Sequence, residues 1–179
     1  KITYRSLQGN DEQYFKDGDS LRQIFDAENK DTLLFFTDKA QLYRAAVNDF
    51  ENCKASVMGE FVPAELKMDS GEKPVFMSLQ SDFREGYNYV FIFENGKGVR
   101  VPEKAYETSS IRRKLKGVFS TASPIVAVFS ENEKKPFEIM ITSNDNKSII
   151  IKSSLIPIKT TKSSIGVQIM TLKKNQQII

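Results

Sequence analysis

Three copies of one pattern, an apolar strand, a polar turn and a second apolar strand, limit the possible folds of this chain more than any other feature. The copies begin at Leu33, Tyr89 and Phe137. A glycine follows each turn at nearly the same distance, 22 or 23 residues further on: Gly59, Gly117 and Gly166. A fixed period of this kind indicates stacked units. Because a unit of four short strands cannot bury both of its faces alone, the copies must pack side by side.

Short apolar and β-branched runs between Gly, Pro, Asn, Asp or Ser predict the strands themselves. These runs cover residues 33–36, 75–78, 89–93, 125–129, 137–141, 148–151 and 165–170. Asn95-Gly96 and the cluster at 144–146 predict tight hairpin turns, because these residues adopt positive φ at low cost. Brief helical turns are predicted only over 11–22 and 63–68. The strand aromatics are predicted to be core residues rather than base-stacking ones: Phe35, Phe36, Phe91, Phe93, Phe119 and Phe129.

The predicted fold is therefore an all-β, propeller-like array of about three four-stranded blades in a single domain, 1–179. The blades lie near 26–80, 81–130 and 131–179, and residues 1–25 are expected to add strands to a neighbouring blade. The chain begins at Lys1 in what looks like a strand. We therefore expect either part of a larger array or a short version of one.

Composition excludes several classes of chemistry. The chain contains no histidine, so Ser-His-Asp triads, Cys-His dyads and histidine-ligated metals are excluded. The single cysteine, Cys53, cannot form an internal disulfide or a zinc cluster, which is typical of a reducing cytoplasm. The acidic groups at 17–19 and 26–28 lack the spacing of a calcium-binding loop, so no metal site is predicted. No apolar run approaches the roughly 20 residues that span a bilayer, and no membrane partner is expected.

The three copies also resemble a known family. Their sequences are LLFFTDKAQLYR, YVFIFENGKGVRV and FEIMITSNDNKSIII. They resemble the repeated motif of the C-terminal β-pinwheel in the A subunits of bacterial type IIA topoisomerases, which are DNA gyrase and topoisomerase IV. The segments 154–158 and 163–167 are similar to the final blade of that domain. The glycine that normally follows the turn is kept as Gly98 and replaced by Ala40 and Lys147, and the glutamine-arginine-glycine-rich box of gyrase is absent from the sequence. These departures favour a topoisomerase IV-like or divergent protein.

The resemblance implies a non-catalytic domain that binds, bends or wraps duplex DNA and presents a transport segment during topology change. The family's catalytic tyrosine belongs to an N-terminal region that this pattern does not include, so none of the tyrosines here is assigned that role. The implied partners are duplex DNA, the ATPase subunit of a cytoplasmic holoenzyme, and the remainder of the A subunit. The resemblance implies no cofactor for this domain, neither ATP nor magnesium.

The distribution of charge indicates which part of the chain faces DNA. Residues 1–95 carry 11 basic and 17 acidic side chains, whereas residues 96–179 carry 15 basic and 6 acidic ones. A wrapping surface needs positive charge along a rim and no contacts with base edges. The predicted DNA contacts are thirteen of the basic residues in the second half: Lys97, Arg100, Lys104, Arg112, Arg113, Lys114, Lys116, Lys147, Lys152, Lys159, Lys162, Lys173 and Lys174. Two other interpretations stay open at this point, a protein-interaction β-propeller without DNA binding and a β-rich hydrolase with a carboxylate pair.

Overall fold

The computed structural model of the protein describes residues 15–54, 57–80, 84–109 and 113–179. Strands dominate these ranges: β1 Thr32–Thr37, β2 Gln41–Ala46, β3 Pro74–Gln80, β4 Tyr87–Phe93, β5 Lys97–Pro102, β6 Lys114–Lys116, β7 Ile125–Asn132, β8 Glu138–Thr142, β9 Ser148–Lys152 and β10 Val167–Gln168. The helices are short: α1 Val62–Glu65 and the 3-10 turns Val47–Asp49, Glu103–Tyr106 and Ser153–Leu155. The helical turn predicted near 63–68 is thus confirmed, whereas the described part of the segment 11–22 contains no helix. No helix in the described ranges is long and apolar enough to cross a membrane.

The strands form three sheets, and neighbouring repeats share strands. The first sheet has the order β3-β1-β2-β6 and the second β10-β5-β4-β7, while β8 and β9 form the third. In the first two sheets the edge strand beside β2 or β5 comes from a later part of the chain. These two sheets take their fourth strand, β6 or β10, from a following repeat. The all-β, propeller-like class is confirmed, and the blade boundaries stay a prediction.

The three hairpins share one turn geometry. The last paired residues on either side of the turn are Phe36 with Leu42, Ile92 with Gly98, and Thr142 with Ser148. Each turn holds one residue at positive φ: Ala40 at 53°, Gly96 at 77° and Asn146 at 63°. The N–H of that residue donates to the carbonyl three residues earlier, over 2.9 to 3.1 Å. The left-handed position is therefore Gly96 rather than Gly98 in the second turn and Asn146 rather than Lys147 in the third, which corrects the sequence alignment of these copies by two residues and by one residue.

Two apolar clusters lie between the sheets. Leu34 and Phe36 of β1 pack against Tyr89 and Phe91 of β4, and the rings of Phe36 and Tyr89 meet edge-on at 4.8 Å. Alternate residues of β4 face the other way and pack on β8 and β9 of the third sheet. Five of the six aromatics predicted for the core are buried, and the sixth, Phe129, packs against the second cluster.

A third cluster closes the outer face of the first sheet. Leu33, Phe35 and Tyr43 point away from the second sheet, and the connection 47–68, with Phe50 and Val62, covers them. The burial of these alternate side chains follows from the two-residue period of a strand. The first sheet is thus apolar on both faces and covered on both.

Candidate nucleic-acid interface

A groove between two repeats brings predicted DNA contacts together. Its lining consists of Thr108, Lys114, Leu115, Lys116 and Lys162. The first two lysines belong to β6, which pairs with β2 through Tyr43 opposite Lys114. The third comes from the connection that precedes β10. We call the surface formed by Lys114, Lys116 and Lys162 the lysine groove.

Lys114 is the anchored member of the lysine groove. Its Nζ donates to Asp69 Oδ1 at 2.9 Å and lies 5.0 Å from the ring centroid of Tyr43. Hydrogen bonding with Tyr43 and Asp69 raises the pKa of Lys114. Hydrogen bonds from Gln41 and Lys114 lower the pKa of Asp69. Both partners stay charged, so the Lys114 ammonium is oriented but partly neutralised.

Lys116 and Lys162 have no ion-pair partner among the residues that the structure describes. Lys116 is exposed at the end of β6, and in the described ranges no ion pair engages it. The Nζ of Lys162 lies 5.6 Å from the centroid of the Tyr106 ring, and the half-buried residue lines the groove. These two ammonium groups come from positions 46 residues apart in sequence. Both residues nevertheless line one groove.

Arg100 lies in the interior and is no longer counted among the candidate DNA contacts. Its guanidinium donates to Glu131 Oε2 at 2.9 Å, to the carbonyl of Ile156 at 2.6 Å and to that of Ser154 at 3.2 Å. The Arg100 side chain is 10% exposed and that of Glu131 fully buried. A phosphate could reach this guanidinium only by breaking these bonds. The residue holds the connection after β9 against the second sheet.

The first sheet contains the same arrangement around Arg44, which sequence reasoning missed. Arg44 occupies the position of Arg100 in the repeat, counted from the turn, and it too is buried. Its guanidinium donates to the carbonyl of Tyr106 at 2.6 Å and to Thr108 Oγ1 at 3.0 Å. Arg44 and Arg100 recur at one position of the repeat, each within an apolar strand. This recurrence could have indicated from the sequence that both arginines have a structural role.

The other predicted contacts are scattered over the surface. Lys104 pairs with Glu85 at 3.2 Å and Lys147 with Asp145 at 3.6 Å. Lys97 is half-buried at the start of β5. Five cations are exposed: Arg113, Lys152, Lys159, Lys173 and Lys174. Arg112 lies outside the described residues. For all of these the contact with DNA stays a prediction.

Acidic and cysteine side chains build no comparable centre in the described part of the chain. Among those residues no three Asp, Glu or Cys side chains converge as ligands for a metal ion. Cys53 is a free, half-buried thiol. The charged side chains that line the groove are lysines.

Comparisons with known proteins agree with this fold. The family model described as the DNA gyrase C-terminal domain, beta-propeller, matches residues 31–56 and 138–179. No curated protein matches the sequence at a significant level. The resemblance to the C-terminal domains of gyrase and topoisomerase IV is confirmed by that family model and by the solved structures that follow.

Three solved structures show the same architecture. The crystal structure of the C-terminal domain of DNA topoisomerase IV superposes with a TM-score of 0.70 at 21% identity, covering 84% of this chain and 46% of that one. The DNA gyrase A C-terminal domain gives 0.56 at 13% identity, covering 86% and 47%. The E. coli ParC C-terminal domain gives 0.69 at 12% identity, covering 99% and 71%. The chain therefore spans about half the length of the first two domains.

Proposed function

We propose that this chain is a non-catalytic C-terminal domain from the A subunit of a type IIA topoisomerase, and that it binds and bends duplex DNA. The observation that carries the proposal is the lysine groove, built from two repeats on a fold shared with topoisomerase IV and gyrase C-terminal domains. The domain would hold a DNA segment while the strand passage takes place elsewhere in a cytoplasmic holoenzyme. That holoenzyme would include the ATPase subunit together with the rest of the A subunit.

The groove suits the phosphate backbone rather than the bases. Lys116 and Lys162 line the groove from two different segments of the chain, β6 and the connection before β10. Contacts of this kind fix a duplex in place without reading its sequence. Bending a short duplex costs a few kcal/mol, and additional phosphate contacts along a curved surface offset that cost. Binding should therefore be indifferent to sequence and steeply dependent on salt.

The acidic part of the chain limits where the duplex can run. Residues 1–95 carry a net negative charge, whereas β6 and the connection before β10 belong to the basic part. Like charge between acidic side chains and phosphates opposes contact. The duplex path is accordingly assigned to the lysine groove and to the exposed cations after residue 95, rather than to the acidic surface of the first 95 residues.

Removing the two free ammonium groups should weaken binding to DNA. If about six phosphates are neutralised, the affinity falls with salt at a log-log slope of about −5. In the double variant Lys116→Gln/Lys162→Gln we expect roughly tenfold weaker binding and a slope reduced in magnitude by about 2. Fluorescence anisotropy with a labelled random duplex, titrated between about 50 and 200 mM salt, measures both quantities.

A matched control removes the same charge from the acidic part. The variant Lys30→Gln/Lys73→Gln changes two exposed lysines that lie outside the groove. It should keep the affinity and slope of the parent protein. Equal losses in the two double variants would mean that only net charge matters and would remove the groove as the site. If the parent protein does not bind the duplex even at low salt, the proposal fails in favour of a protein-interaction propeller.

A further inference from the structure

The last sheet carries an exposed apolar surface. On β8 and β9, alternate residues such as Ile139 and Ile141 point into the cluster shared with the second sheet. Their neighbours point the other way, and Met140 is 71% and Ile150 65% exposed. We define the outward face as Glu138, Met140 and Thr142 of β8 with Ser148, Ile150 and Lys152 of β9. Within the described residues no other segment covers this face.

The same positions are covered in the other two sheets. Counted from the turns, Met140 corresponds to Leu34 of the first sheet and Val90 of the second, and both of those are fully buried against the following sheet. The outer face of the first sheet is covered by Phe50 and Val62 from the connection after β2. Among the described sheets, the first is thus covered on its outer face by the chain itself, whereas the outer face of the third exposes apolar side chains.

Charges on the outward face are arranged in a self-complementary pattern. The antiparallel register sets Glu138 opposite Lys152, Met140 opposite Ile150 and Thr142 opposite Ser148. The two members of each pair therefore lie at the same level along the strands. Neither Glu138 nor Lys152 has an ion-pair partner in the part of the chain that the structure describes. The face therefore offers one acidic and one basic group at one level, with an apolar pair beside them.

We propose that this chain self-associates by packing its outward face on the outward face of a second copy. A two-fold axis that runs parallel to the strands, midway between the two sheets, places β8 of each copy over β9 of the other. Glu138 of one copy then meets Lys152 of the second copy, twice, and Met140 meets Ile150 twice. Aligned sheets pack at about 10 Å in this way. An interface of this type is isologous and closes at two copies.

The association is weak because the face is small. Two strands of five residues each bury much less than the 1,200 Å² or so of a standard stable interface. We expect a dissociation constant on the order of 100 µM, which is typical of transient contacts. Sedimentation equilibrium of the chain over a wide concentration range measures it.

Charge reversal distinguishes this pairing from any other contact. In Glu138→Lys both charged contacts pair lysine with lysine, and in Lys152→Glu both pair glutamate with glutamate, so each variant should self-associate at least tenfold more weakly. The doubly reversed variant Glu138→Lys/Lys152→Glu restores opposite charges and should return to the parent affinity. An equimolar mixture of the two single variants should also dimerise, because each then meets its opposite. All substituted side chains are exposed, and circular dichroism verifies that the variants fold.

Several outcomes would overturn the proposal. A parent chain that stays monomeric at concentrations well above 100 µM would do so. Equal self-association of both single variants and the parent would place any dimer contact elsewhere on the surface. Failure of the mixed variants to associate would exclude the two-fold arrangement, leaving the face to a different occupant.

Discussion

Glu131→Gln is expected to lower the free energy of unfolding by about 3 to 5 kcal/mol, because it leaves the Arg100 guanidinium buried without a counter-charge. The Glu131 carboxylate is fully buried and accepts from Arg100 at 2.9 Å and from Asn88 at 3.3 Å. A glutamine of the same size keeps the packing but removes the negative charge. The loss in the free energy of unfolding therefore reports the cost of the unpaired Arg100 charge and not the cost of a cavity.

The pH dependence of the effect follows from the pKa of Glu131. Burial raises this pKa, but hydrogen bonds from Ser153 and Arg100 outweigh burial and hold it below its ordinary value of 4.5. A group with a lowered pKa in the folded state stabilises the protein above its unfolded pKa, and this stabilisation is lost as the pH falls through the folded value. The difference between the parent protein and Glu131→Gln should therefore be largest near neutral pH and shrink below about pH 4.5.

Urea unfolding followed by fluorescence or circular dichroism at several pH values measures this difference. Glu85→Gln provides the control, because Glu85 pairs with Lys104 on the surface, where their side chains are 86% and 58% exposed. Removing an exposed ion pair should have almost no effect on stability. Equal effects of the two substitutions would contradict the buried-pair interpretation of Arg100.

Sequence reasoning located most strands because they are encoded locally. Short apolar and β-branched runs bounded by turn residues identified β1, β3, β4, β7, β8 and β9 to within a few residues. The turn at Asn95-Gly96 was readable for the same reason, since glycine and asparagine tolerate positive φ. Ala40 occupies the same left-handed position in the first turn. Because alanine rarely adopts that conformation, the sequence did not reveal Ala40 as the left-handed residue of its turn. Gly98 was therefore aligned with it in place of Gly96.

The exchange of strands between repeats could not be predicted in this way. β6 has only three residues, too few to form a recognisable apolar run, and only two residues of the predicted strand 165–170 pair, as β10. Their pairing is determined by distant segments, as with β10 on β5. The lysine groove depends on this exchange. Lys162 is distant from β6 in sequence, and the two come together only when the repeats pack against each other. The sequence identified basic residues as candidate DNA contacts, but it could not determine which of them lie close together in the folded protein.

The close packing of β10 against the second sheet predicts that substitution of Gly166 strongly destabilises the protein. Gly166 has φ of +71°, and a Cβ at this position would lie 2.7 Å from the carbonyl carbon of Gly98 and closer still to its oxygen. The next residue, Val167, pairs with Gly98 and begins β10. Gly166→Ala should therefore both strain the backbone and push β10 from the second sheet. We expect a loss of about 3 to 4 kcal/mol in the free energy of unfolding.

A substitution at Gly117 distinguishes the effect of backbone strain from the effect of displacing β10. It follows β6 and also has positive φ, +64°, but an added Cβ would meet nothing within 4 Å. Gly117→Ala therefore carries only the strain of the left-handed backbone, about 1 kcal/mol. Urea midpoints at unchanged m-values compare the two variants directly.

Because Lys162 lies four residues before Gly166, weaker docking of β10 should also loosen the lysine groove and reduce any DNA affinity in Gly166→Ala alone. If both variants lose the same stability, the close approach to Gly98 does not matter, and strand exchange at β10 contributes little to holding the repeats together.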